Sequence, residues 1–400
     1  MSSPVGVWIV GVKGGVATTA MCGVLSACAG RIAPVGMVTE SPLAAGLPLP
    51  ALDDLVFGGH DIRSGDLVAQ AKELRRTAHT LRAEDLDAIE PGLRRFSAHC
   101  RPGALYESGS AIESLADDES RGSSASAQET VERIRTDLEE FRRNTGAARV
   151  VFVNLASTEP PIAKGSRLDT AEGVRSLIAA DARESLRAST LYAVAAAESG
   201  CSYLNFTPSP GALTPGIAEL FTDAGLPFMG SDGKTGETLL KSVLAPMFKH
   251  RQLRVHTWYG YNLLGDRDGL VLDHAENKEA KVASKDNLLH SELGAPLRSR
   301  VAIDYAPSLD DWKTAWDFIH FEGFLGVKMA MQFTWQGCDS ILAAPLVLDM
   351  VRLLAFAHSR GERGPQTHLA SFFKTPYSVS THDFPTQFAM LQSYLARHQP

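Results

Sequence analysis

Residues 5–30 read VGVWIVGVKGGVATTAMCGVLSACAG, an apolar strand, a glycine turn and a small-residue helix in succession. Val5 to Val10 supply the strand, Gly11, Gly14 and Gly15 the turn, and Lys13 sits inside it. A helix N-terminus presents unpaired N–H groups and the positive end of its dipole, so such a turn suits a dinucleotide pyrophosphate. The spacing is GxxGG rather than GxGxxG; the strand before it and the helix after it supply the context.

Strand and helix alternate outward from this unit. Val35 to Thr39 read as a second strand ending at Glu40, placed either to bind a ribose or to cap the turn before Ser41-Pro42. No arginine directly follows that strand to meet a 2′-phosphate, so NAD is expected over NADP. Residues 53–67, DDLVFGGHDIRSGDL, read as a short strand, then a polar turn at Gly58, Gly59, His60 and Asp61, then a helix over Asp66 to Arg76. Residues 116–127 read as an exposed loop before a charged helix, Glu129 to Arg143. ARVVFVNLAS (148–157) has the unbroken apolarity of a parallel strand. It runs into Asn154, Ser157, Thr158 and Glu159, at the strand end where open α/β sheets place their sites. An Ala-rich helix near Ser185 to Ser199, the strand CSYLNF (201–206) and the turn TPSPGALTPG (207–216) complete a doubly wound α/β pattern.

Past Lys241 the texture changes. RVHTWYGYNLL (254–264), RSRVAIDYAPS (298–308) and VKMAMQFTWQG (327–337) are β-rich and aromatic, and Lys328 reads as an outward strand residue. DDWKTAWDFIHFEG (310–323), SILAAPLVLDMVRLLAFAHS (340–359) and the tail read as helical. Four hundred residues fit two lobes, and 44% hydrophobic with 21% charged residues is ordinary globular composition. A net charge of −7 argues against a nucleic-acid or anionic-membrane surface as partner. No apolar run reads as a membrane span or secretory leader, and five scattered cysteines fit free thiols in a reducing cytoplasm.

Residues 230–287 carry the chemistry. GSDGKTGETLLK (230–241) is a tight turn opening a helix, a second anion cradle. YNLLGDRDG (261–269) sets Asn262, Asp266 and Asp268 in a polar loop after a strand. KEAKVASKDN (278–287) spaces Lys281 and Lys285 four apart, on one face if helical. Lys313 stands out by context, and Lys374 follows the apolar ASFF. The histidines show no metal-site spacing, and no serine or cysteine lies in a nucleophile elbow.

Several ordered segments resemble the myo-inositol-1-phosphate synthase family: SPLAAGLPLPALDDLVFGGHDI (41–62), GSDGKTGETLLKSVLAPMF (230–248), YNLLGDRDG (261–269), QGCDSILAAPLVLDM (336–350) and SFFKTP (371–376). The resemblance implies a Rossmann-type NAD-binding domain over 1–240, an inserted α+β catalytic and tetramerisation domain over 241–350, and a C-terminal segment, 351–400, returning to the first domain. It implies a cytoplasmic, homotetrameric isomerase that converts D-glucose 6-phosphate to 1D-myo-inositol 3-phosphate. The steps are C5 oxidation by NAD, enolisation, intramolecular aldol closure and re-reduction.

By the same resemblance, Lys281, Lys285, Lys313 and Lys374 are the catalytic lysines. Gly11, Lys13, Gly14, Gly15, Val16, Asp61, Ala156, Ser157, Asp232, Thr235, Asp268 and Asp339 fall at cofactor positions, with Asp61 on the adenosine ribose. Thr235, Gly236, Glu237, Thr238, Asn262, Leu264, Asp266, Lys285 and Lys313 fall at substrate positions. Crowded ammonium groups suit such chemistry, because they stabilise an enolate and lower the pKa of at least one amine. The family's GGNNG loop is GGVAT here, which leaves cofactor contacts to the backbone and to Thr18 and Thr19. Asp266 and Glu237 stand where many members carry Asn and Gln. An imine, and a monovalent or divalent cation, remain open. So do two other readings: another NAD-dependent sugar-phosphate cyclase or reductase, and a non-catalytic NAD-sensing homologue.

Overall fold

A computed structural model of the chain describes residues 3–121, 125–162, 167–265, 267–272, 289–290, 292–294 and 297–399. β1 (Val5–Val10) is buried along its whole length. Val5, Val7 and Ile9 pack into one core, and Trp8 and Val10 into another. The helices Gly15–Cys28 and Asp339–Ser359 build the first core, and Ala127–Thr145 and Ala188–Glu198 the second. With both faces covered, an unbroken apolar run is the sequence such a strand requires. β1 pairs in parallel with β2 (Leu55–Asp61), which pairs with β3 (Cys100–Pro102). On its other side lie β4 (Arg149–Asn154), β5 (Ser202–Asn205) and β6 (Pro227–Met229), all parallel. The winding reverses between β1 and β4, which opens a crevice at their carboxyl ends.

A second sheet comprises β7 (Arg254–Leu264), β8 (Arg298–Tyr305), β9 (Trp312–Glu322) and β10 (Lys328–Cys338), in the order β10-β9-β7-β8. β7 runs parallel to β8 and antiparallel to β9, and β10 is antiparallel to β9. The helix Gly236–His250 covers one face, packing Ala245 and Phe248 against Trp258 and Ile319. The opposite face leaves Tyr261, Trp312 and Trp316 exposed. β11 (Gly364–Pro365) returns to the first sheet beside β6.

The structure corrects five local expectations. Residues 312–322 form a strand, not a helix. Ala315, Asp317 and Ile319 are buried while Trp316, Phe318 and His320 face outward, a period of two that the aromatic residues favour. Residues 35–39 are not a strand: Val38–Glu40 is a 3₁₀ turn, fixed by the Asp349 carboxylate, which accepts from Val38 N, Thr39 N and Thr39 Oγ1. Glu40 pairs with Arg352 at 2.5 Å, and β2 is the second strand. Gly58, Gly59, His60 and Asp61 lie within β2, not in a turn; a Cβ on Gly59 would stand 2.0 Å from Ile9 O. Residues 116–121 are not an exposed loop, since Asp118–Arg121 is helical and Ala116 and Ser120 are buried. Asn262 lies inside β7, not in a loop, and the helix Arg267–Leu272 follows.

Lys328 faces outward from β10, as expected. The helix Asp339–Ser359 is by length and composition apolar enough to cross a membrane, but 78% of its most apolar window is buried within the fold.

Candidate active site

A cavity of about 450 Å³ opens at the carboxyl ends of β1, β2 and β4 and reaches the first turn of Gly236–His250. At one end is the glycine turn. Gly11 has φ +83°, which strains any other residue, and a Cβ there would crowd Leu155 O at 3.2 Å. Gly11 N and Val12 N donate to His60 O, which fastens the turn to β2. Gly14 caps the helix without a side-chain bond, and Lys13, Gly14, Gly15 and Val16 line the cavity. The N-cap therefore supplies the first helical N–H groups with no side-chain acceptor. Thr18 Oγ1 is buried without a hydrogen-bond partner among the described residues and also borders the cavity. These features fit a nucleotide pyrophosphate.

Asp61 ends β2, its Oδ2 accepting from Lys13 N at 2.7 Å and its Oδ1 from Arg63 N at 3.0 Å. Ala156 and Ser157 line the wall where the chain leaves β4, and Asn154 Oδ1 accepts from Ala156 N. Glu159, also on the wall, is pushed up to about 7 by burial, although Ser189 donates to its carboxylate.

The other end is built by the 231–236 turn, β7, β9 and the returning tail. Lys374 N donates to Asp232 O, and Lys374 Nζ lies 2.6 Å from Asp232 Oδ1, with both residues buried. Lys313 Nζ pairs with Asp339 Oδ1, and Thr235 Oγ1 donates to the same oxygen at 3.4 Å. Gly236 has φ +53°, and a Cβ on it would stand 2.8 Å from Lys313 Cε. The helix N-cap, Thr235, makes no side-chain capping bond, and Thr238 Oγ1 is buried without a hydrogen-bond partner among the described residues. A helix start of this kind suits an anion.

Behind it, Glu237 Oε1 lies 2.7 Å from Lys241 Nζ, and Asp317 Oδ1 lies 3.9 Å from that amine. Trp258 Nε1 donates to Asp317 at 2.7 Å. Gly260 leaves room for the group, since a Cβ there would stand 2.2 Å from Glu237 Oε1.

Glu237, Thr238, Asn262 and Leu264 border the same cavity, with Asp232, Thr235, Lys313, Asp339 and Lys374. Asp266, Lys281 and Lys285 lie outside the described residues, and Asp268 falls in Arg267–Leu272 with its side chain undescribed. Sequence reasoning missed Arg63, Lys241, Asp317 and the cavity-lining Asp311 and Ser340. The aspartate at 317 carried one signal: it is a charge at an inward position of an otherwise apolar period of two.

An NAD-binding family model described as myo-inositol-1-phosphate synthase matches residues 5–396. The chain belongs to that family. It is an enzyme of the inositol-3-phosphate synthase type on an NAD-binding, Rossmann-like fold, as the sequence motifs implied. Inositol-3-phosphate synthase 1 of Bacteroides thetaiotaomicron is 32% identical over 417 residues, covering 98% of this chain and 94% of that protein. Inositol-3-phosphate synthase 1 of Rattus norvegicus is 33% identical over 78% of the chain, which spans only 56% of that longer relative. Among solved structures, inositol-3-phosphate synthase from Caenorhabditis elegans shares the fold with a TM-score of 0.88 at 23% identity, covering all of this chain and 86% of its own.

Proposed function

We propose that this chain converts D-glucose 6-phosphate to 1D-myo-inositol 3-phosphate with no net redox change. The observation that carries the reading is one continuous cavity joining the Gly11–Gly15 turn to the Lys374–Asp232 and Lys313–Asp339 pairs. Bound NAD supplies a hydride acceptor for C5 of the sugar and returns that hydride after ring closure.

The first helix turn of Gly15–Cys28 and Thr18 hold the cofactor's phosphates, and Asp61 its adenosine ribose. At the other end the N–H groups opening Gly236–His250, with Thr235, Thr238 and Lys313, hold the sugar phosphate. Glu237, Asn262 and Leu264 shape the sugar pocket. Lys374 Nζ, steadied by Asp232, stabilises the oxyanion that forms when a proton leaves the carbon beside the carbonyl. Lys281 is assigned to proton transfer at the same carbonyl, and Lys285 to the phosphate, on family resemblance. Asp266 and Asp268 are assigned to the substrate and cofactor walls on the same ground.

The proposed assembly is a homotetramer built through 241–350, between an NAD-binding domain (1–240) and a returning segment (351–400). It is a cytoplasmic enzyme of small molecules, with neither nucleic acid nor membrane as partner. A monovalent or divalent cation would act as an activator, read out by adding ammonium or a divalent ion to the assay.

Purified protein incubated with glucose 6-phosphate should yield an inositol phosphate by NMR, with constant total NADH. Stoichiometric NADH change would make the chain a reductase instead. No conversion, with NAD bound, would favour a non-catalytic homologue; the two ion pairs on the cavity wall argue against that.

A further inference from the structure

The 231–236 turn sends its side chains two ways. Asp232, Gly233 and Thr235 border the cavity. Lys234 instead runs into the C-terminal helix Phe384–His398, where its Nζ donates to Gln387 Oε1 at 2.6 Å. Both residues are buried, at 2% and 0% exposed. Gln387 Nε2 in turn donates to Thr381 O at 2.6 Å, which ties the helix to the segment leading into it.

We infer that Lys234 is a positioning residue, whose amine clamps the C-terminal helix to the turn and so sets where Lys374 stands in the cavity. This rests on the assignment of Lys374 to the developing oxyanion. The turn and the returning tail pair antiparallel at Gly233 and Phe373. Lys234 N donates to Phe372 O at 2.8 Å, Lys374 N to Asp232 O at 2.8 Å and Tyr377 N to Gly230 O at 2.7 Å. Past Tyr377 the chain leaves the turn, and Lys234 Nζ fastens its return at Gln387. Within that excursion the His382 ring hydrogen-bonds the Lys374 main chain. A catalytic amine works only within about 0.5 Å of its place, so the segment that carries it must be held at both ends.

The chemistry at Lys234 points to placement rather than to stability. Its acceptor is an uncharged amide, and the Phe384 ring lies 5.5 Å from the amine. Asp383 attracts that amine, but it is engaged in capping the helix, accepting from Thr386 N. Burying a lysine against a neutral partner costs free energy that an apolar side chain of similar length does not. What the lysine adds is reach and a directed bond, joining the turn to one oxygen on the helix.

The test compares the full chain with Lys234→Met, which keeps length and packing but donates no bond. Amide hydrogen exchange over residues 372–377 should quicken by about tenfold or more. The urea midpoint at pH 7 should hold or rise, because the burial cost is gone. Turnover of glucose 6-phosphate should fall by about tenfold or more, with NADH affinity changed by less than about threefold. Gln387→Leu should quicken the same exchange, and the double variant no more than either alone, as coupled partners require. That variant also serves if the methionine variant does not fold. Unchanged exchange over 372–377 overturns the inference, as does near-wild-type turnover in Lys234→Met. A fall in turnover matched by a fall in the urea midpoint overturns it too, since Lys234 would then only stabilise the fold. Wild-type protein that leaves glucose 6-phosphate unconverted overturns the proposed reaction, and the exchange comparison still decides the clamp.

Discussion

Lys374 reaches the cavity from the far end of the chain and is held there by Asp232 at 2.6 Å. Lys374→Ala should lower turnover by roughly 100-fold or more, the scale of a lost oxyanion partner. Nucleotide binding should survive, because the Gly11–Gly15 turn lies at the other end of the cavity. Lys374→Arg should not restore activity, since a guanidinium keeps its proton and has a different shape. Near-wild-type turnover in the alanine variant would remove Lys374 from the chemistry.

A second lysine behaves differently. Burial pushes Lys234 down to about 7, with Gln387 Oε1 at 2.6 Å as its neutral acceptor and the Phe384 ring 5.5 Å away. Between about pH 7 and its unfolded value near 10.4, the unfolded chain binds the extra proton, so stability rises with pH across that window. Below about 7 both states are charged and the full burial cost remains. Urea midpoints of the wild type should therefore climb from pH 7 to 9.5 relative to Lys234→Met. Parallel curves for the two proteins would refute this.

The contact of Gly236–His250 with β7 and β9 is where elements meet through charge rather than through apolar packing alone. Lys241 is fully buried between Glu237 and Asp317. Lys241→Met should cost about 3–5 kcal/mol, because it leaves two buried carboxylates without their shared ammonium. Adding Glu237→Gln to it should recover part of that loss, since the remaining amide needs no counter-charge. Thermal or urea unfolding of Lys241→Met, Glu237→Gln and the double variant measures the coupling. Strict additivity would show that Lys241 does not act through Glu237.

Over the whole molecule, the outstanding surface is the face of the second sheet that the described residues leave exposed. Tyr261, Trp312 and Trp316 are exposed on it, and Phe324 and Leu325, at the β9–β10 connection, are 89% and 85% exposed. Apolar surface of this kind marks an association site. The proposed tetramer would bury it, and light scattering at micromolar protein should find an oligomer. Phe324→Asp with Leu325→Asp should weaken it if the connection joins the interface. A stable, active wild-type monomer would rule the assembly out.

The sequence by itself determined the elements whose burial is complete. β1 and β4 are apolar at nearly every position because helices cover both faces, and the helix Asp339–Ser359, Asp349 and Arg352 apart, is apolar nearly all round because it is buried. The glycine at 11 was legible because its φ of +83° strains any side chain there. Only the tertiary structure decided the segments whose partners are remote. Residues 312–322 have apolar groups at spacings that serve a helix or a strand, and pairing with β7 and β10 selects the strand. Residues 35–40 are extended in pattern but are pinned into a turn by Asp349 and Arg352, more than three hundred positions away. The same holds within the site. Glycine turns announce themselves locally, whereas Lys241 beside Asp317 and Lys374 on Asp232 are charges brought together from separate elements, and such a charge shows its partner only once the chain has folded.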